Sequence, residues 1–169
     1  MDSSIIFEHS HYVENVLEHK FLGQLCTELW RKYPGDELQI FSAEIDNQGF
    51  DLVLNFKNVT RHVQLKTKML NSITDKFPIN QGLPKVPSGC VLLIQYEPEA
   101  LEIKNYRFFG NSGGCPLPDI EQLPYAKTNR ANAQGFKKLR PKIKKLPLNR
   151  FHSEMSIDEI SVLLFDGRT

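Results

Sequence analysis

Cysteine is scarce in this chain. Cys26, Cys90 and Cys115 are the only three in 169 residues, odd in number, far apart and without a CxxC pair. That excludes a disulfide framework and a paired-cysteine zinc site. His9, His11, His19, His62 and His152 form no recognisable metal spacing either. No stretch approaches the roughly 18 consecutive apolar residues of a membrane span, and the opening MDSSIIFEHSH lacks a basic region followed by an apolar run. The expected setting is therefore cytoplasmic, with no membrane partner. One further absence is local. Between Glu121 and Glu154 there is no acid, while Lys127, Arg130, Lys137, Lys138, Arg140, Lys142, Lys144, Lys145 and Arg150 supply nine positive charges. Such a block is either a phosphate-binding surface or a solvated basic loop.

The formal net charge of +1 conceals this asymmetry. Residues 1–56 carry ten acids (Asp2, Glu8, Glu14, Glu18, Glu28, Asp36, Glu37, Glu44, Asp46 and Asp51) against three bases (Lys20, Arg31 and Lys32). With 40% apolar and 24% charged residues the composition is that of a soluble globular protein, and the length fits one domain over 1–169. Its core is expected at about 10–110 and a basic extension at about 120–169.

Residues 11–33 place Val13, Leu17, Phe21, Leu25 and Leu29 at four-residue spacing and stop at Pro34-Gly35. The pattern predicts a long amphipathic helix with Ser10 as its cap. Three strands follow, at 38–45, 50–56 and 61–68, with turn signals at Asn47–Gly49 and Lys57–Asn58, so an antiparallel meander lies against the helix. Residues 69–88, rich in Pro, Gly, Ser and Asn, predict an irregular connection or short helix. CVLLIQY at 90–96 is continuously apolar, as in a strand covered on both faces. Residues 103–109 predict one more strand. The basic block has weak helical periodicity broken by Pro141 and Pro147. Ser156-Ile157-Asp158-Glu159 has the form of a capping box, so a short terminal helix ending at Gly167 is expected.

The polar residues of the meander are the ones packing does not require. In a strand, residues two apart share a face, so Gln64 and Lys66 project together from the third strand and Asp51 projects from the second. Antiparallel pairing can bring Asp51 close to both. A carboxylate, an amide oxygen and the backbone carbonyl of Leu65 form an all-oxygen set of the kind Mg²⁺ prefers, and Lys66 beside it could hold a water or stabilise charge on a phosphate. On a helical wheel Glu18 falls between Leu25 and Leu29, while Glu14 and Glu28 lie near Phe21, inside the apolar stripe. A buried carboxylate needs a partner or an ion.

A helix bearing Glu, then Gly49-Phe50-Asp51 opening an apolar strand, then Val63-Gln64-Leu65-Lys66 in the next, resembles the PD-(D/E)XK nuclease superfamily, the restriction-endonuclease-like and Holliday-junction-resolvase-like proteins. More closely it is similar to the prokaryotic branch with GxD followed by QxK. The motifs cover about residues 14–70. The resemblance implies an α/β (α+β) fold with a restriction-endonuclease-like core, in which the long helix packs on a mixed central sheet. To this the sequence adds the basic C-terminal extension and a short terminal helix. It also implies Mg²⁺ or Mn²⁺ held by Asp51, Gln64, Glu18 and the Leu65 carbonyl, with Lys66 activating water. Glu14, Glu28 and Glu44 are alternatives to Glu18. Gln64 stands where an acid is usual, and an amide brings no charge, so another acid must compensate.

Three functions follow. The first is a metal-dependent endonuclease hydrolysing DNA phosphodiesters, in restriction, repair or phage defence, with the basic block holding phosphates and room for a homodimer. The second is a nuclease-like binding module with weak or lost catalysis. In the third, a partner-binding domain, Asp51 and Lys66 form only a cross-strand ion pair. Tyr125, Phe136 and Phe151 near the basic block would either stack on bases or anchor the segment to the core.

Overall fold

The continuous apolar run at 90–96 marks the centre of the molecule. In the computed structural model, which describes residues 3–42, 49–128 and 134–166, it lies within strand β5 (Gly89–Glu97), buried from Gly89 to Tyr96. Its side chains alternate between two cores. Cys90, Leu92 and Ile94 face the helices, while Val91 and Leu93 face a second sheet. A strand covered on both sides has no use for polar residues, which is why its sequence does not alternate.

Helices α1 (Ser3–Glu8) and α2 (Ser10–Lys32) precede β1 (Gln39–Ser42), β2 (Leu52–Phe56) and β3 (Val59–Met69). After β4 (Lys76–Asn80) and β5 come β6 (Glu102–Gly110), β7 (Tyr125–Lys127), β8 (Leu139–Pro147) and α3 (Ile157–Phe165). The main sheet has the order β1-β2-β3-β5-β6, parallel between β3 and β5 and antiparallel elsewhere; β4-β8-β7 forms the second sheet. The chain is thus a mixed α/β fold in three layers. α2 buries Val13, Leu17, Phe21, Leu25 and Leu29 against the main sheet, the stripe its spacing predicts. Arg61, fully buried in β3, donates to the carbonyls of Leu163 and Leu164 at 2.6 and 2.8 Å, placing a cation at the C-terminal end of α3.

Several expectations are corrected. Ser10 is not a cap: His9 holds that position without a side-chain bond, because α1 delivers a chain that is already helical, His9 N–H bonding to Ile5 O and Val13 N–H to His9 O. The 69–88 connection contains β4 and a 3₁₀ turn at Leu83–Lys85. Pro78 in the middle of KFPIN obscures the strand, yet proline is tolerated there because β4 is an edge. Within the basic block, Arg140, Lys142, Lys144 and Lys145 lie in the strand β8, not in a helix, while Lys127 belongs to β7 and Arg150 to a 3₁₀ turn. Pro141 fits because the pairing with β7 jumps from Lys144 to Arg140, leaving it outside the ladder. The capping box of α3 forms as expected, Ser156 Oγ accepting from Glu159 N–H at 3.3 Å. Of the strand predicted at 38–45, Gln39–Ser42 is observed; residues 43–45, with Glu44, and the turn signals at 47–48 lie outside the described residues, as do Arg130 and Gly167.

Leu92 is fully buried beneath α2 and Ile73 is 99% exposed. Leu92→Ala should lower unfolding free energy by about 2–5 kcal/mol in urea titrations, whereas Ile73→Ala should stay within about 0.5 kcal/mol. Equal effects would contradict this placement of the core.

Candidate functional site

The start of β2 creates the site. Leu52 pairs with Val63, and the ladder runs one step further through Asp51 N–H to Val63 O at 2.9 Å. There the backbone of β2 turns away and the Asp51 side chain takes over, Oδ2 accepting the N–H of Leu65 at 2.6 Å. Gly49 makes that departure feasible. It has φ +81°, and a Cβ there would stand 2.0 Å from Cβ of Asn80, so only glycine fits. Among the described residues β3 beyond Leu65 has no strand partner on its β2 side, and a cleft of about 480 Å³ opens at this edge.

α2 forms one wall of the cleft with His11, Glu14, Asn15 and Glu18. Its floor is Asp51, Leu65, Lys66, Thr67 and Ile94, and Thr74, Lys76, Phe77 and Pro78 form the far wall. Glu14 is exposed and Glu18 half-buried. Partial burial pushes the Glu18 carboxyl above its ordinary value, the charge of Asp51 adds to the rise, and His19 offsets part of it. Two carboxylates therefore share a region where water solvates them incompletely. Among the described residues Lys66 takes part in no hydrogen bond or ion pair, so its ammonium is uncommitted at the floor.

The structure thus brings Glu18, Asp51, Leu65 and Lys66 together, with Glu14 at the rim. It does not bring the amide of Gln64 onto the cleft wall: Gln64 is 6% exposed and its Oε1 accepts Asn80 N–H at 3.3 Å, tying β3 to the end of β4. Glu28 is also elsewhere. Ten residues beyond Glu18, about 15 Å along the helix, it pairs with Arg31 at 2.6 Å and Lys32 at 3.6 Å. His62 donates from Nδ1 to the carbonyl of Pro87 at 2.6 Å and packs on Phe50, a structural commitment. His11, Asn15, Thr74 and Lys76 join the site without having stood out in the sequence. His11, Glu14 and Glu18 at i, i+3 and i+7 lie along one helix face, a legible signal; Lys76 had none, since β4 itself was hidden.

The basic residues separate. Lys127, Lys137, Lys138, Arg140, Lys142 and Lys145 are exposed. Lys144 is buried: its Nζ donates to the carbonyls of Glu121 and Leu123 at 2.9 and 3.0 Å and sits 3.7 Å from the Tyr125 ring centre. Its role is therefore internal, not phosphate contact. Arg150 is exposed and donates weakly to Asp119 O at 3.4 Å. Phe151 packs on Phe77 and Phe109 in the core, whereas Phe136 is 73% exposed.

Among the described residues no three His, Cys, Asp or Glu side chains gather into a metal cluster, and no helix is long and apolar enough to cross a membrane. The donors in the cleft nevertheless fit a hard divalent cation, because Mg²⁺ is commonly held by one or two carboxylates, with water and substrate phosphate completing its shell. The two acids and the Leu65 carbonyl are oxygen donors of that kind.

No protein-family model and no curated protein matches the chain. Among solved structures, Hjc of Archaeoglobus fulgidus, a Holliday junction resolvase from an archaeal hyperthermophile, is similar over 85% of this chain and 98% of its own, at 14% sequence identity and a TM-score of 0.36. A likeness this distant leaves the chemistry to the side chains just described.

Because the Glu18 pKa is raised on folding, the stability present below the ordinary carboxylate value is lost as pH rises through the raised one. In EDTA, Glu18→Gln should melt above wild type at pH 7, and the gap should close below about pH 4. A gap independent of pH would contradict the shared-carboxylate reading.

Proposed function

We propose that this chain is a metal-dependent endonuclease that hydrolyses phosphodiester bonds of DNA. The observation that carries the reading is the opposition, in one cleft, of the Glu18 and Asp51 carboxylates to the uncommitted ammonium of Lys66. Glu18, Asp51 and the Leu65 carbonyl would hold Mg²⁺ or Mn²⁺. When bound, such an ion supplies Lewis-acid polarisation of a phosphate oxygen and a lowered pKa for coordinated water.

The chain's own groups do the rest. Asp51 is fixed by the Leu65 N–H, so its carboxylate is oriented before substrate arrives. Lys66 brings a fixed positive charge to the same floor, where it positions water and stabilises negative charge developing on the phosphoryl oxygens. Gln64 serves as a positioning residue, its grip on Asn80 holding the β4 wall against β3. Exposed lysines attract the phosphate backbone irrespective of sequence.

One observation favours a second reading, a nuclease-like DNA-binding module with weak or no catalysis. Gln64 is neutral and already engaged, which leaves Asp51 as the carboxylate of the floor, with Glu18 and Glu14 on the α2 wall, where a further acid beside Asp51 would strengthen the site.

Cleavage of plasmid and oligonucleotide DNA in Mg²⁺ or Mn²⁺ separates the two. Asp51→Asn keeps an oxygen for the Leu65 N–H but removes the charge, and should abolish cleavage while the melting temperature stays close to wild type. Lys66→Ala should slow cleavage by about a hundredfold or more with divalent-ion binding retained in calorimetry. Wild-type protein that binds DNA but neither binds a divalent ion nor cuts establishes the binding module instead.

A further inference from the structure

The second sheet presents cations to the cleft in a pattern the order of residues along the chain conceals. β4 alternates strictly: Phe77 and Ile79 are buried, while Lys76 and Pro78 point outward, and both outward residues line the cleft wall facing the acids of α2. Across the ladder Pro78 pairs with Lys145, which is exposed, while its neighbours Lys144 and Leu146 turn inward. Directly paired residues of an antiparallel ladder share a face. Lys145 therefore stands on the outer face beside a cleft residue, and it is a diagonal neighbour of Lys76, about 7–8 Å away between backbones.

Neither lysine has an ion-pair partner among the described residues. No acid occurs within β4 or β8. Asp75, next to Lys76, lines a different cavity with Arg107 and Asn149, which Lys76 borders from its other side. Of the other basic residues nearby, Arg107 is paired with Glu154 at 3.0 Å, Lys144 turns inward, and Lys142 lies three residues before Lys145 in β8. Lys137 and Lys138 precede β8 at the opposite end of the strand, the nearer of them seven residues or roughly 20 Å from Lys145 by strand rise.

We infer that Lys76 and Lys145 form a two-cation step that leads a nucleic-acid backbone out of the cleft and onto the outer face of the second sheet. This rests on the endonuclease reading for the direction of the strand at the cleft but not for the phosphate binding itself. Lys66 faces the reacting phosphate, Lys76 a neighbouring one, and Lys145 the next along the path. Pro78 between them is a conformationally rigid spacer, its φ fixed by the ring. Both lysines bind phosphate, so the step is independent of base sequence.

The test is fluorescence anisotropy of a labelled DNA duplex over a range of salt, in EDTA so that no cleavage occurs. Lys76→Ala/Lys145→Ala should weaken binding and reduce the slope of log affinity against log salt by about 2, close to 0.9 for each phosphate that is no longer neutralised. Lys20→Ala/Lys104→Ala removes the same net charge away from the cleft, Lys20 being bonded to the carbonyls of Ala100 and Leu101 and Lys104 paired with Glu102. It should leave the slope close to wild type. An unchanged slope in the first double variant, an equal fall in both, or a wild-type protein without salt-dependent binding overturns the inference. Cleavage by the wild type is assayed separately in Mn²⁺. Cutting together with an unchanged slope in Lys76→Ala/Lys145→Ala defeats the path and leaves the endonuclease standing, and a lowered slope in a protein that never cuts does the reverse.

Discussion

A single hydrogen bond, from the N–H of Leu65 to the carboxylate of Asp51, governs the local architecture. It satisfies a backbone donor that β2 would otherwise have covered, and so allows that strand to end early. Because β2 ends there, β3 has an edge that no described strand covers, between α2 on one side and β4 on the other. The cleft is that edge. The same bond orients the charge that makes the cleft chemically useful, so structure and proposed chemistry share one atom.

The electrostatic arrangement follows from the layers. α2 contributes acids from the flank of a stripe whose main business is packing, and Glu18 tolerates partial burial because the cleft keeps it in contact with water. The second sheet contributes cations on the opposite wall. Its own stability comes from the inward half of the alternation, Phe77, Ile79 and Leu146 packing on Val91, Leu93 and Phe109. Lys144 joins that half, with backbone carbonyls satisfying its ammonium. Strand alternation thus divides what reads in the sequence as one basic block into buried and exposed members.

Much of this was legible from residues alone. The four-residue spacing of Val13 to Leu29 marks α2 and its buried face, the unbroken apolar run marks β5, and strand parity puts Asp51 and Lys66 in reach of one another. Wheel position puts Glu14, Glu18 and Glu28 all inside the apolar stripe, and the ion pairs of Glu28 with Arg31 and Lys32 show why that does not suffice: distance along the axis decides. What stayed hidden traces largely to proline. Pro78 and Pro141 sit in strands whose ladder positions need no proline N–H, and their presence argues against β4 and β8. With β4 unseen, neither Asn80, which engages Gln64, nor Lys76 could be assigned to the site.

The proposed joint hold of Glu18 and Asp51 on a divalent cation is open to direct observation. A crystal of this protein grown or soaked in Mn²⁺ and measured for anomalous scattering at the manganese edge reads it directly. A single strong peak is expected in the cleft, within direct ligand distance of both carboxylates and the Leu65 carbonyl. A cleft without a peak at saturating Mn²⁺, or a peak bound only to other residues, would contradict it.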